Sequence, residues 1–229
     1  MRVSEIFESI QGEGTRAGVP SVFLRLADCN LRCRWCDTKY TWDWQHYDRA
    51  TEVTELGVSE VAARLLASPL RNLVITGGEP LLQQEALTEL VERLGARGAR
   101  FSFEVETAGT LVPAEPLRRA IHLWNVSPKL ANSGNERRAR LRPEALRCFA
   151  GLPRAWFKFV VDGEGDLPEI HALLSEYAIA RERVLLMPQA GTRAELAERS
   201  PAVAALCRSL GVRFGPRLQV ALWGARRGI

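Results

Sequence analysis

Lysine is nearly absent from this chain. Of its 31 basic residues only Lys39, Lys129 and Lys158 are lysines, and arginine carries the rest of the positive charge. No apolar run approaches the ~18 uninterrupted residues that a membrane-crossing helix requires. The opening residues, Met1-Arg2-Val3-Ser4-Glu5-Ile6, put an acid where a secretory signal would carry its apolar stretch. A cytoplasmic protein without membrane contact is the expectation. Low-complexity tracts, repeats and an evident linker are also lacking, so residues 1–229 are expected to form one domain with one sizeable core. The basic residues are scattered among 27 acids, whereas a dedicated nucleic-acid binder gathers them on one face. The net charge of +4 therefore reads as a solvated arginine-rich surface, with no direct nucleic-acid partner.

Cysteine is scarce and unevenly placed. Three of the five fall within Cys29–Cys36, and an odd, clustered count speaks against a disulfide framework and for metal ligation. Cys148 and Cys207, in helix-like segments far from the group, read as small buried core residues.

What is present is an alternation of apolar strands and amphipathic helices. Strands are expected at Ser21–Leu26, Asn72–Thr76, Phe101–Glu106, Ile121–Val126, Ala155–Val161 and Arg183–Met187, with a weaker one in Val212–Val220. Helices are expected from Ser59, as N-cap, to about Leu66, and over Leu81–Leu94, Leu167–Tyr177 and Arg193–Leu210. Asp37–Gly57, rich in Trp and Tyr, and Pro128–Arg142 look irregular. Such an α/β pattern implies a parallel sheet with right-handed crossovers. About six units fall short of the eight that close a barrel, so an incomplete, open parallel β/α barrel is expected. Its chemistry should lie at the carboxyl ends of the strands.

Directly after the first strong strand comes Cys29-Asn30-Leu31-Arg32-Cys33-Arg34-Trp35-Cys36. A tight Cys-x3-Cys-x2-Cys loop can aim three thiolates at three corners of a [4Fe–4S] cube, and with no fourth cysteine nearby one iron stays open. The alternative is a structural zinc site, which would need a fourth ligand; His46 is the only candidate close in sequence.

This loop after a strand of a β/α protein resembles the radical S-adenosylmethionine (SAM) superfamily. There the open iron takes the amino and carboxylate groups of SAM, and an electron from the cluster cleaves SAM to methionine and a 5′-deoxyadenosyl radical. Further motifs are Ile10-Gln11-Gly12-Glu13-Gly14, Cys36-Asp37-Thr38, Thr76-Gly77-Gly78-Glu79-Pro80, Ser127-Pro128-Lys129 and the tail Leu222–Ile229. Together they resemble the 7-carboxy-7-deazaguanine synthase family of the queuosine (7-deazapurine) pathway. The resemblance implies a lyase that contracts 6-carboxy-5,6,7,8-tetrahydropterin to 7-carboxy-7-deazaguanine with loss of ammonia, using SAM catalytically. It further implies Mg²⁺, a homodimer, and an electron donor such as a flavodoxin or ferredoxin.

On the same resemblance Cys29, Cys33 and Cys36 hold the cluster. Trp35, Cys36, Asp37, Gly78, Glu106, Ser127, Pro128 and Lys129 match SAM contacts, Ile10, Gln11, Gly12, Arg25 and Thr76 match substrate contacts, and Thr38 matches the Mg²⁺ ligand. The residue types suit these roles. Gly12 lets backbone approach a flat ring. Arg25 can grip a carboxylate through paired N–H groups, and inside a sheet it needs either a bound anion or a buried acid. Thr38 could instead cap the turn after Asp37. In an arginine-rich chain, retained lysines suggest positions where a guanidinium cannot substitute: Lys129 in a motif, Lys39 beside Thr38, and Lys158 in an expected interior strand. Ala108 departs from the family, which usually has an amide side chain there. The form of the Trp42–Trp44 segment is left open. Two other functions stand beside this one: a glycyl-radical activating enzyme acting on a partner protein, and a zinc-stabilised RNA-binding module.

Overall fold

The computed structural model describes the chain except Arg97, Ala99, Ala225 and Ile229, so two residues of the tail motif lie outside the described residues. Its strands are β1 (Arg2–Ile10), β2 (Pro20–Leu26), β3 (Thr54–Glu55), β4 (Asn72–Gly77), β5 (Ser102–Thr107), β6 (Leu123–Val126), β7 (Ala155–Val161), β8 (Val184–Pro188) and β9 (Arg213–Phe214). The helices are α1 (Arg49–Glu52), α2 (Val58–Ala67), α3 (Gln84–Ala96), α4 (Glu115–Ala120), α5 (Arg137–Arg140), α6 (Pro143–Gly151), α7 (Leu167–Glu176), α8 (Arg193–Leu210) and α9 (Leu218–Trp223).

Among the described residues one nine-stranded sheet runs in the order β3-β1-β2-β4-β5-β6-β7-β8-β9. From β2 onward every pairing is parallel and follows chain order. At the other edge β1 pairs antiparallel with both β2 and β3. β3 and β9 do not meet, so the sheet is an open β/α structure and not a closed barrel.

The six strong strands expected from the sequence are all present with ends displaced by at most two residues. Strand β1 was not expected. Its residues are mostly half-buried, and Glu5 and Glu8 interrupt the apolar pattern on which a strand assignment rests. The Val212–Val220 segment divides into the two-residue β9 and helix α9. Helix α2 has Gly57 as its N-cap, two positions before the expected Ser59. Arg193–Leu210 is helical as expected, opened by a capping box between Thr192 and Glu195 and closed by Gly211 in the left-handed region.

Alternation along the parallel strands divides the sheet into two faces. Leu24, Leu26, Leu73, Ile75, Phe103, Val105, Trp124, Val126, Phe157, Phe159 and Val161 face the helices and form the core with Leu65, Leu87, Leu90, Leu146, Phe149 and Val203. The opposite parity gives Arg25, Thr76, Glu104, Glu106, Asn125 and Lys158. Thus strands that read as buried on both faces bury hydrocarbon on one face and, on the other, polar side chains interspersed with Phe23, Val74 and Val160. Cys207 belongs to the core, but Cys148 does not: it is only half-buried, beside Arg118 at 4.0 Å.

Candidate active site

At the carboxyl ends of the strands the inner face opens into a cavity of about 540 Å³. The loop leaving β2 enters it through Asp28, whose φ of 73° is left-handed, a region Asp tolerates better than most residues. Arg2 Nε fixes the Asp28 carboxylate at 2.5 Å, and the Asp28 carbonyl accepts from Glu79 N–H at 2.9 Å. The Gly77-Gly78 turn packs directly on this loop. A Cβ on Gly77 would sit 2.0 Å from the Leu26 carbonyl, and one on Gly78 would sit 2.0 Å from the Asp28 carbonyl, so both positions demand glycine.

Cys29, Cys33 and Cys36 all line the cavity. Burial pushes the Cys29 thiol up to about 12 and raises that of Cys33 as well. A buried thiolate needs a positive centre beside it, which a metal cluster provides. His46 does not line the cavity: its side chain is exposed and pairs with Asp43 at 2.9 Å. The donor set is three thiols facing one cavity, which suits a cluster with an open iron better than a closed zinc site.

Glu79 is fully buried behind the turn. Burial raises its carboxyl, opposed by donors from Ala108 N–H at 2.8 Å, Thr107 Oγ1 at 2.8 Å and Leu81 N–H at 3.1 Å. The bond from position 108 is made by backbone, which alanine supplies as well as any residue.

Arg25 meets a buried acid: its Nε donates to Glu5 Oε1 at 2.9 Å, and Tyr40 Oη donates to the same oxygen at 2.6 Å. Its Nη groups have no protein acceptor among the described residues. Gln11 is buried and donates from Nε2 to Glu104 at 2.6 Å and to Glu106 at 3.2 Å, while Thr76 Oγ1 donates to Glu106 at 2.8 Å. Asn125 also donates to Glu104, at 2.6 Å. Burial first, then repulsion from Glu106, pushes the Glu104 carboxyl up to about 7.

A second polar group joins distant parts of the chain. Glu13 accepts from Lys158, from Arg217 Nε at 3.1 Å and from Gln219 Nε2 at 2.6 Å, and Arg217 reaches Asp37 at 2.5 Å. Burial opposes ionisation of Glu13, but Lys158 and Arg217 together hold its carboxyl far below the usual range. Gly12 belongs to the same junction: a Cβ there would collide with Gln219, and its carbonyl accepts from Leu218 N–H at 2.9 Å. Any side chain at position 12 would displace the Gln219 amide from Glu13 and crowd the first turn of α9.

Lys129 donates to Ser127 Oγ at 2.9 Å and lies over the Trp35 ring at 5.6 Å, and Trp35 Nε1 donates to the Asn132 carbonyl at 3.1 Å. Thr38 opens the turn Lys39–Thr41, yet its hydroxyl makes no capping bond; it lies 3.6 Å from Cys36 Sγ, facing the cavity.

The structure therefore brings to one cavity Cys29, Cys33, Cys36, Trp35, Asp37, Thr38, Gly78, Glu106, Ser127, Lys129, Ile10, Gln11, Gly12, Arg25 and Thr76. Pro128 and Lys39 do not line it. Sequence reasoning missed Arg217 and Gln219, which sat in an expected strand and carried no motif. It also left Trp42 unassigned, and this residue is buried against Cys36.

Residues 10–140 match the family model described as a 4Fe-4S single cluster domain. The 7-carboxy-7-deazaguanine synthase of Pyrobaculum aerophilum is 43% identical over 100% of this chain and 97% of its own length. That of Halobacterium salinarum is 38% identical over 96% and 90%. Among solved structures, that of QueE from Escherichia coli superposes with a TM-score of 0.69 at 27% identity, covering 93% of this chain and 92% of that one.

Proposed function

Since the chain belongs to the 7-carboxy-7-deazaguanine synthase family, we propose the following division of labour among its residues. The protein is a radical SAM lyase of queuosine biosynthesis, converting 6-carboxy-5,6,7,8-tetrahydropterin to 7-carboxy-7-deazaguanine with loss of ammonia, on a [4Fe–4S] cluster and catalytically used SAM. When bound, cluster and SAM together supply the radical chemistry; the protein supplies binding, orientation and shielding.

Cys29, Cys33 and Cys36 would hold the cluster. Trp35, Asp37, Gly78, Ser127 and Lys129, beside those thiols, are positioned for SAM, with Pro128 fixing the spacing of its neighbours. Arg25 offers its free Nη groups to the substrate carboxylate, which leaves its Nε on Glu5. Gln11, Thr76 and Glu106 form a hydrogen-bonded set able to read the polar edge of a pterin, and Ile10 and Gly12 complete that wall. The Thr38 hydroxyl, unspent on capping, is suited to contribute one oxygen to Mg²⁺, whose other positions water and substrate oxygens would fill.

One observation carries this assignment: the three cysteine thiols and the polar inner row of the sheet open onto the same cavity. Residues 1–229 are proposed as a single domain, as one sheet runs from Arg2 to Phe214. A homodimer, a flavodoxin- or ferredoxin-type donor and a cytoplasmic location complete the proposal; no described helix is long and apolar enough to cross a membrane. The test is anaerobic turnover of the reconstituted protein with the carboxylated tetrahydropterin, SAM, Mg²⁺ and a reductant. Equimolar ammonia and deazaguanine product are expected, with many turnovers per SAM. Loss of one SAM per event with the pterin untouched would overturn the assignment.

A further inference from the structure

Each of the three cysteine sulfurs receives an N–H donor from the protein. Leu31 N–H donates to Cys29 at 3.4 Å, Asn135 Nδ2 to Cys33 at 3.2 Å, and Trp42 Nε1 to Cys36 at 3.3 Å. The first is a local loop contact. The other two come from side chains outside the cysteine loop, Asn135 lying 102 positions from Cys33.

Neither direction is ambiguous. An indole nitrogen can only donate. The Asn135 amide is oriented by its oxygen, which accepts the backbone N–H of Arg32 at 2.8 Å and so turns the nitrogen toward sulfur. The indole is held in turn: Trp42 is buried, and the Arg32 guanidinium lies over its ring at 4.7 Å while donating to the carbonyls of Cys29 and Leu31. Arg32 thus ties both donors to the loop, through its backbone to Asn135 and through its side chain to Trp42.

Resting on the cluster assignment above, we propose that Trp42 and Asn135 set the reduction potential of the cluster by donating N–H to Cys36 and Cys33. Hydrogen bonds to ligating sulfur are among the factors that fix such potentials. A donor stabilises the more electron-rich reduced state, so it raises the potential and eases reduction of the cluster by its electron donor. Both residues are positioning groups that act through the thiolates, not through substrate.

The test is an anaerobic redox titration, followed by electron paramagnetic resonance, of reconstituted wild type, Trp42→Phe and Asn135→Asp, with iron and sulfide counted in each. Phenylalanine keeps an aromatic ring and removes the donor. Aspartate keeps an oxygen for Arg32 and replaces the donor with a negative oxygen. At fixed applied potential the reduced-to-oxidised ratio is expected to fall about tenfold in Trp42→Phe, equivalent to about 59 mV for one electron, and further in Asn135→Asp. Ratios within about twofold of wild type at full iron content would overturn the inference while leaving the cluster assignment standing; a wild type that takes up no iron would overturn both. If Trp42→Phe loses its iron, electron–nuclear double resonance of wild type carrying ¹⁵Nε1-tryptophan decides. A ¹⁵N coupling to the reduced cluster is expected, and its absence rejects the role of Trp42.

Discussion

Lys158, on β7, donates to the carboxylate of Glu13, in the turn after β1, across 145 positions of chain. Both side chains are largely buried, at 7% and 13% exposure, so the pair is shielded from solvent. Lys158→Met should cost about 3 kcal/mol, because an acid is left buried with only part of its charge compensation. Glu13 is held below its ordinary value, so its contribution is present above about pH 4.5 and lost as pH falls through the folded value. The deficit of Lys158→Met should accordingly be largest at neutral pH and shrink on acidification. Urea denaturation of both proteins at pH 7 checks the deficit; wild-type stability in Lys158→Met would reject the pairing.

Glu104 behaves in the opposite sense. The folded carboxyl keeps its proton to about 7, against 4.5 for the free group. Its contribution is therefore complete below 4.5 and lost as pH rises through 7. Glu104→Gln abolishes that titration, so its stability relative to wild type should rise by on the order of 3 kcal/mol between pH 4.5 and pH 8. Denaturation midpoints across this range, measured anaerobically, should diverge; parallel curves would exclude the shift.

Cys29→Ala, Cys33→Ala and Cys36→Ala should each abolish SAM cleavage and lower bound iron. Cys148→Ala and Cys207→Ala should leave both near wild type, since neither lines the cavity. Iron analysis after reconstitution is the readout, and full iron in any of the first three would remove that thiol from the ligand set.

Thr38→Ala should weaken the activating effect of Mg²⁺ several-fold more than it weakens SAM binding, by removing one inner-sphere oxygen. Since the hydroxyl makes no capping bond, stability should change little. Identical Mg²⁺ titrations in the two proteins would leave Thr38 without a metal role.

Much of this arrangement was legible in the chain. The parallel strands announced themselves because their helix-facing residues are so uniformly apolar, and the cysteine spacing marked the loop. What stayed hidden depends on pairings that no local pattern encodes. Strand β1 owes its place to partners on both sides and to Glu5 meeting Arg25. Gly12 reads as a place for backbone to approach a flat ring, yet α9, some two hundred positions away, also packs against it. Trp42 and Arg217 carry ordinary residue types in unremarkable surroundings, and only folding brings them to Cys36 and Asp37.

The sheet ends on β3 and β9, each two residues long. A strand that short presents few free backbone groups to another chain, and Thr54-Glu55 and Arg213-Phe214 each add a charged side chain to its edge. The fold is open, and β3 covers only the first two residues of β1. Continuing the sheet from molecule to molecule is therefore disfavoured at the β9 end, whereas β1, paired to β3 only at Arg2 and Val3, extends beyond it over Ser4–Ile10 and offers a longer edge.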